Sequence, residues 1–332
     1  MASRIADAIK YISIYIVCFF LTIACKYYFF RDLVPDFEFN EFNNIYTSLI
    51  FASFLFVFSF IFNNTSVVDM GWGSLGILLF CENVVNRRTF LTQYLQKEII
   101  KINLQELAIY IFGFSLILIY SFRHILIYIR NFKGLDTVNE DFRYIEFKTK
   151  YGSNKITFWT FNYLLLHQIP LTCLTLAFQP VFTLNSSISN NQKYSNGKNL
   201  LWLCLISYSI GMFALIIETI ADEQLAIFRK EKENLKRNQT LVGSRVIYFG
   251  LWRYLRHPNY FGEVLYFFSL TIFSYGQDID QIFKNSIGFL SIFLIFMFYS
   301  VPAMENYLLR KYKEEYLRYQ SKVKFSLIPL LY

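Results

Sequence analysis

The densest run of reactive and charged side chains is Gly250-Leu251-Trp252-Arg253-Tyr254-Leu255-Arg256-His257-Pro258-Asn259-Tyr260-Phe261-Gly262-Glu263, which leads straight into an apolar segment. Pro258 prevents an uninterrupted helix through His257, and Gly250 and Gly262 allow close backbone approach. Arg253, Arg256 and His257 thus gather donors at a membrane surface. Guanidinium groups grip phosphate oxygens in bidentate fashion, so a diphosphate or ribose phosphate is a suitable ligand. The plainer reading is a basic patch against anionic lipid. A second concentration runs from Glu218 to Arg229, with Glu218, Asp222 and Arg229 on one helical face at spacings of four and seven. Glu218 lies inside an apolar run, where an ionisable group faces a bundle interior or a bound ligand. A carboxylate there could hold a ribose hydroxyl or an amide while Arg229 holds a phosphate.

A third feature is Val68-Asp69-Met70-Gly71-Trp72-Gly73, an acid at the mouth of an apolar segment beside a Trp. Asp69 is either a helix N-cap or an acid facing substrate. Arg123 and His124 interrupt a further apolar segment, and Arg123 and Arg130 share a face. Buried arginine needs a partner, and Asp69 is the expected one. His124 and His167 read as hydrogen-bonded structural groups in preference to haem ligands.

The elements that must position these residues are apolar. Of 332 residues 55% are hydrophobic and only 17% charged, against about 25% charged in a soluble domain. Eight apolar segments can be drawn, at about 11–30, 45–62, 67–81, 107–129, 156–182, 199–220, 260–275 and 286–303. Backbone groups in hydrocarbon must be satisfied internally, so the expected fold is an all-α polytopic bundle of about 7–8 spans. The third and seventh segments are short enough to be re-entrant, and Glu82–Glu106 could be an interfacial helix. Basic residues concentrate in the N-terminus, in 130–155, in 229–256 and in the tail, which with eight spans puts both termini on the cytosolic side. The net charge of +8 points to anionic headgroups or phosphorylated ligands, and no nucleic-acid motif accompanies it. The five cysteines lack a partner at ligand spacing, so neither a disulfide framework nor a metal is expected.

The motif over 250–263 resembles that of the steroid 5-alpha-reductase superfamily, in its broad branch carrying Gly-Leu-Trp-Arg-Tyr-x-Arg-His-Pro-Asn-Tyr-x-Gly-Glu. Asp69-x-x-Trp72-Gly73, Glu140-Asp141-Phe142-Arg143-Tyr144, Glu218-x-x-Ala221-Asp222-x-Gln224, Pro302-x-x-Glu305 and the tail from Tyr316 to Pro329 extend the resemblance over roughly residues 65–332. It implies a division into N-terminal transmembrane helices, 1–64, and a reductase-like transmembrane domain, 65–332. The implied activity is NADPH-dependent reduction of a carbon–carbon double bond in a lipid substrate such as a sterol, polyprenoid or enoyl chain. Cofactor residues would be Glu218, Asp222, Arg229, Arg253, Arg256, His257, Asn259, Tyr260 and Glu263. Asp69 and Tyr260 would be catalytic, and Asp69, Trp72, Arg123 and Arg130 would lie on the substrate side. Glu218 stands where the steroid enzymes use an asparagine.

Two other readings remain open. Isoprenylcysteine carboxyl methyltransferases share an Arg-His-Pro-x-Tyr-x-Gly core and a C-terminal Glu before a Tyr-rich segment, here Glu305, Tyr312, Tyr316 and Tyr319, which would make S-adenosylmethionine the cofactor. An accessory subunit keeping the fold among other membrane subunits is the non-enzymatic reading. The resemblance implies the endoplasmic reticulum membrane, with the mitochondrial inner membrane as the alternative.

Overall fold

A computed structural model describes residues 2–29, 41–95, 104–132, 134–189, 197–238, 245–276 and 279–329. The described residues form helices and connecting turns, with no strand among them. In order they are α1 (Ala2–Phe29), α2 (Glu41–Phe62), α3 (Gly71–Leu95), α4 (Leu104–Asn131), α5 (Phe142–Tyr151), α6 (Lys155–Phe161), α7 (Ile169–Ser189), α8 (Gly197–Arg237), α9 (Pro258–Ile272), α10 (Ile279–Ile295), α11 (Val301–Tyr312) and α12 (Glu314–Lys322). π-helical turns join α6 to α7 at Asn162–Gln168 and α10 to α11 at Phe296–Ser300. Among the described residues seven helical runs are long and apolar enough to cross a membrane, so the chain is an integral membrane helical bundle as its composition requires.

The remaining apolar segment, 260–275, ends in a 3-10 turn, Phe273–Gly276, and before that turn forms α9. Its 15 residues rise about 22 Å, less than the roughly 30 Å of a hydrocarbon core. α9 lies antiparallel along α8, with Gly262 against Glu218 at one end and the Ser207 hydroxyl donating to the Ser269 carbonyl at the other. Gly262 makes this approach possible, because a Cβ there would stand 2.7 Å from the Glu218 Cβ and 3.0 Å from the Ala214 carbonyl oxygen.

Two boundaries differ from those read from hydropathy. α3 does not stop near residue 81 but continues to Leu95, so Glu82 and its successors prolong the helix that begins at Gly71; residues 96–103 of that expected segment lie outside the described residues. α8 continues from the apolar run through Asp222 and Arg229 to Arg237, 41 residues in all.

The core is shared by many helices, with Phe51, Leu78, Leu116, Phe178, Tyr266 and Phe273 fully enclosed. Away from the motif residues it contains a polar layer. Lys26 of α1 pairs with Glu82 of α3, Thr47 of α2 hydrogen-bonds to both, and Asn83 donates to Asn44, which donates to Gln179 of α7. Pairing offsets the cost of placing ionisable and amide groups in an apolar helix bundle. All five cysteines are free thiols.

Candidate functional site

The α8–α9 seam gathers the polar residues. Arg123 of α4 places Nη1 2.7 Å from Glu218 Oε1, donates through Nη2 to Asp222, and donates through Nε to the Thr219 hydroxyl at 2.9 Å. Asn259, at the start of α9, donates to the other oxygen of Asp222 at 3.3 Å. Glu263, one turn later, accepts from the Tyr120 hydroxyl at 2.9 Å. His124 lies between the acids, its Nε2 3.5 Å from Glu218 and 3.9 Å from Glu263, with Nδ1 3.1 Å from the Tyr120 carbonyl oxygen. Tyr120 is clamped by stacking on Tyr266, ring centroids 4.5 Å apart. Glu218 Oε2 and Asn259 Oδ1 are buried acceptors without a hydrogen-bond partner. Buried acceptors are nearly always satisfied, so these two mark where a ligand donor fits.

Asp69 belongs to a second cluster. Asn64 caps the turn Thr65–Val68 by accepting from Ser66 N–H, and its amide donates to the carbonyls of Leu135 and Asp136. Glu140 accepts from the Thr65 N–H at 2.7 Å, and Asp141 N–H donates to the Ser66 hydroxyl. The Asp141 side chain then caps α5 by accepting from the Arg143 N–H. From beneath, the Tyr11 and Tyr15 hydroxyls donate to the Ser66 and Val67 carbonyls. These bonds fix Asp69 opposite α5, where the Tyr144 hydroxyl donates to its carboxylate at 2.5 Å and an Arg143 nitrogen stands 3.8 Å away. The sequence-based pairing of Asp69 with Arg123 is therefore corrected: Arg143 and Tyr144 serve Asp69, and Arg123 serves Glu218 and Asp222. The Asp69 side chain also does not cap α3, because it is turned to Tyr144.

The loop between α8 and α9 is held from both sides. Gly250 has φ +60 and lies against the Gln224 side chain, whose Oε1 accepts from the Leu251 N–H at 2.9 Å. Trp252 donates through its indole to the Ala221 carbonyl. On the far side, Glu305 accepts from Arg256 Nε at 2.9 Å and from the Tyr316 hydroxyl at 2.8 Å, with His257 Nε2 2.8 Å away. Gln320 donates to its second oxygen. The backbone N–H groups of Arg256 and His257 donate to the carbonyls of Phe325 and Ser326, and Arg256 Nη1 donates to those of Val323 and Lys324.

The expected residues thus separate by place. Glu218, Asp222, Asn259, Glu263 and Arg123 form one cluster. Tyr260, part-buried and stacked on His257, faces Phe296. Arg256 and His257 are bound to Glu305. Arg229 and Arg253 are exposed, and Arg130 pairs at the surface with Glu223. Trp72 packs part-buried against the core. His124, Tyr120 and Tyr144 join the clusters without having been singled out as site residues; the signal was present in Tyr120 lying one helical turn before His124 beside Arg123. His167 is hydrogen-bonded to Ser59 and to the Asn162 carbonyl, the structural role expected of it. Although no metal was expected, His124, Glu218 and Glu263 bring one nitrogen and two carboxylate oxygens within 4.8 Å of one another, a donor set with the chemistry of a divalent-cation site.

Comparisons with known proteins bear on the same region. A family profile described as a protein of unknown function, DUF1295, matches residues 55–323. That family is related to the steroid 5-alpha-reductase-like proteins. The Delta(14)-sterol reductase of Saccharomyces cerevisiae is 31% identical over 113 residues, 34% of this chain and 25% of that protein, so the match spans about a quarter of the relative's length. No solved structure matches.

Proposed function

The chain belongs to the DUF1295 family, and from that premise we propose that it is a membrane-embedded reductase using NADPH to saturate a carbon–carbon double bond in a lipid such as a sterol, polyprenoid or enoyl chain. The observation that carries this reading is the α8–α9 seam, where Arg123, Glu218, Asp222, Asn259 and Glu263 converge and two buried acceptors, Glu218 Oε2 and Asn259 Oδ1, have no partner. The match to a protein named as a sterol reductase supports a lipid alkene as substrate.

Bound at the α8–α9 seam, NADPH would supply the hydride. Glu218 Oε2 and Asn259 Oδ1, with no partner of their own, would accept from its amide and ribose donors, and Asp222 and Glu263 would orient it. Arg229, at the exposed continuation of α8, would hold a phosphate. Arg123 fixes the carboxylates of Glu218 and Asp222 in position. The Asp69–Tyr144 pair would hold the proton that the reduction consumes: the Tyr144 hydroxyl donates to the Asp69 carboxylate, so a second proton held by Asp69 would let the pair pass one to the substrate carbon and take one back from solvent. Burial of Glu218, His124, Glu263 and Asp69 among the helices keeps bulk water from these groups. The proposed location is the endoplasmic reticulum membrane.

Thermal unfolding of the detergent-purified chain with NADPH, NADH or S-adenosylmethionine tests the reading. A ligand binding only the folded state at a hundred times its Kd adds about 2.7 kcal/mol, so NADPH should raise Tm. Asn259→Ala should weaken that stabilisation by about tenfold in Kd while leaving the unliganded Tm near the parent's. A rise with S-adenosylmethionine instead would move the assignment to methyl transfer, and no rise with any ligand would favour an accessory subunit.

A further inference from the structure

Far along the chain from the α8–α9 seam, α2, α5, α6 and the π-helical turn Asn162–Gln168 line a cavity of about 760 Å³ that is open at the protein surface. Its apolar wall is aromatic. Phe56 meets Trp159 edge-on at 5.9 Å and Tyr163 at 4.9 Å between ring centroids, and Phe60 meets Trp159 at 4.9 Å. The Tyr163 hydroxyl is 2.9 Å from that of Ser53, so the wall is held in place. π-helical turns recur at functional sites because the extra residue re-aims side chains, and Tyr163 lies in this one.

The rim differs in kind. Lys148 Nζ donates to Asn63 Oδ1 at 2.9 Å and stands 3.7 Å from Glu140, which fixes one cation at the cavity edge. Lys155, exposed, supplies a second at the first residue of α6. Phe56 and Phe60 belong to the apolar stretch Phe42–Phe62, which ends just before Asn63, and Lys155 opens the stretch Lys155–Thr183. Aromatic wall and lysine rim therefore meet where two apolar stretches reach the membrane surface. A molecule filling this cavity must be apolar at depth and anionic at the rim. Ile156, 80% exposed, extends the apolar lip beside Lys155 and fits contact with acyl chains rather than water.

We propose that this cavity binds an anionic glycerophospholipid of the adjoining leaflet, with an acyl chain against Phe56, Phe60 and Trp159 and the phosphate between Lys148 and Lys155. The site stands apart from the reductase reading and needs no reaction at the other clusters.

Trp159 supplies the probe. The full-length chain in detergent is titrated with phosphatidylglycerol or phosphatidylcholine carrying brominated acyl chains, which quench nearby indoles, and tryptophan fluorescence is read. Phosphatidylglycerol should reach half-quenching at a concentration about twenty-fivefold lower than phosphatidylcholine, about fivefold for each of the two lysines that recognise anionic charge. The titration is made in a Trp202→Phe background, since Trp202 is 67% exposed on an apolar span and would report bulk lipid; there Trp159→Phe should remove the quenched component. Lys155→Gln, at an exposed position that leaves the fold intact, should cut the preference by about fivefold, and adding Lys148→Gln should abolish it. Equal quenching by the two lipids, a preference unchanged in Lys155→Gln, or quenching retained in Trp159→Phe would each overturn the proposal.

Discussion

Tyr144 and Asp69 form the shortest route from local chemistry to the proposed reaction. Burial, then the negative charge of Asp69, pushes the Tyr144 hydroxyl well above its ordinary value, so it keeps its proton at any working pH and remains a donor. Tyr144→Phe should lower kcat by about a hundredfold or more and leave stabilisation by NADPH unchanged. Loss of both together would make the hydroxyl a folding element instead of a proton donor. Asp69 was legible from its place beside Trp72 and Gly73, and Asp222, Asn259 and Glu263 from their motifs. What spacing could not supply was the partner. The Tyr144–Asp69 bond joins positions 75 apart, and Arg123 finds its acids 95 and 99 positions later on α8. Periodicity tells which face of a helix a charge occupies, not which helix will cover that face.

Helices α8 and α9 show how a backbone detail assembles a site. Gly262 lets α9 settle against Glu218, which places Asn259 within reach of Asp222 and Glu263 within reach of Tyr120. Gly262→Ala would press a Cβ into Glu218 and into α8 backbone, and strain of this kind costs about 1–3 kcal/mol. A fall in Tm with weaker NADPH stabilisation is expected; an unchanged Tm would show that the seam can relax. The close seam was foreshadowed by the glycine, but the lengths of α3 and α8 were not. Hydropathy marks where a helix leaves hydrocarbon. It does not mark where the helix ends, and the Glu-, Lys-, Leu- and Arg-rich stretch after Asp222 favours helix strongly enough to carry α8 on to Arg237.

At the scale of the whole molecule, the all-α membrane bundle followed from composition and apolar runs alone, because a chain with so few charges in such long runs has few other ways to satisfy its backbone. The brevity of α9 was legible in its short apolar run, but its role was not, since only packing against α8 reveals it. The hydrogen bonds from Arg256 and His257 to the tail place the α8–α9 loop and the α12 region on one face. In a chain with its five cysteines replaced by alanine, Lys236→Cys and Ser321→Cys, both exposed positions, should therefore share one fate when sealed vesicles meet an impermeant maleimide. Labelling of one with protection of the other would contradict this arrangement. The Glu305 knot also has a bearing on the order of synthesis. It ties Arg256 to a residue 49 positions later, and the backbone partners of Arg256 and His257 come later still, at Val323 to Ser326. A nascent chain stalled before Glu305 could already have threaded its earlier helices into the bilayer while the loop ahead of Asn259 remained untied, so the seam acquires its final shape only after the tail has emerged from the ribosome.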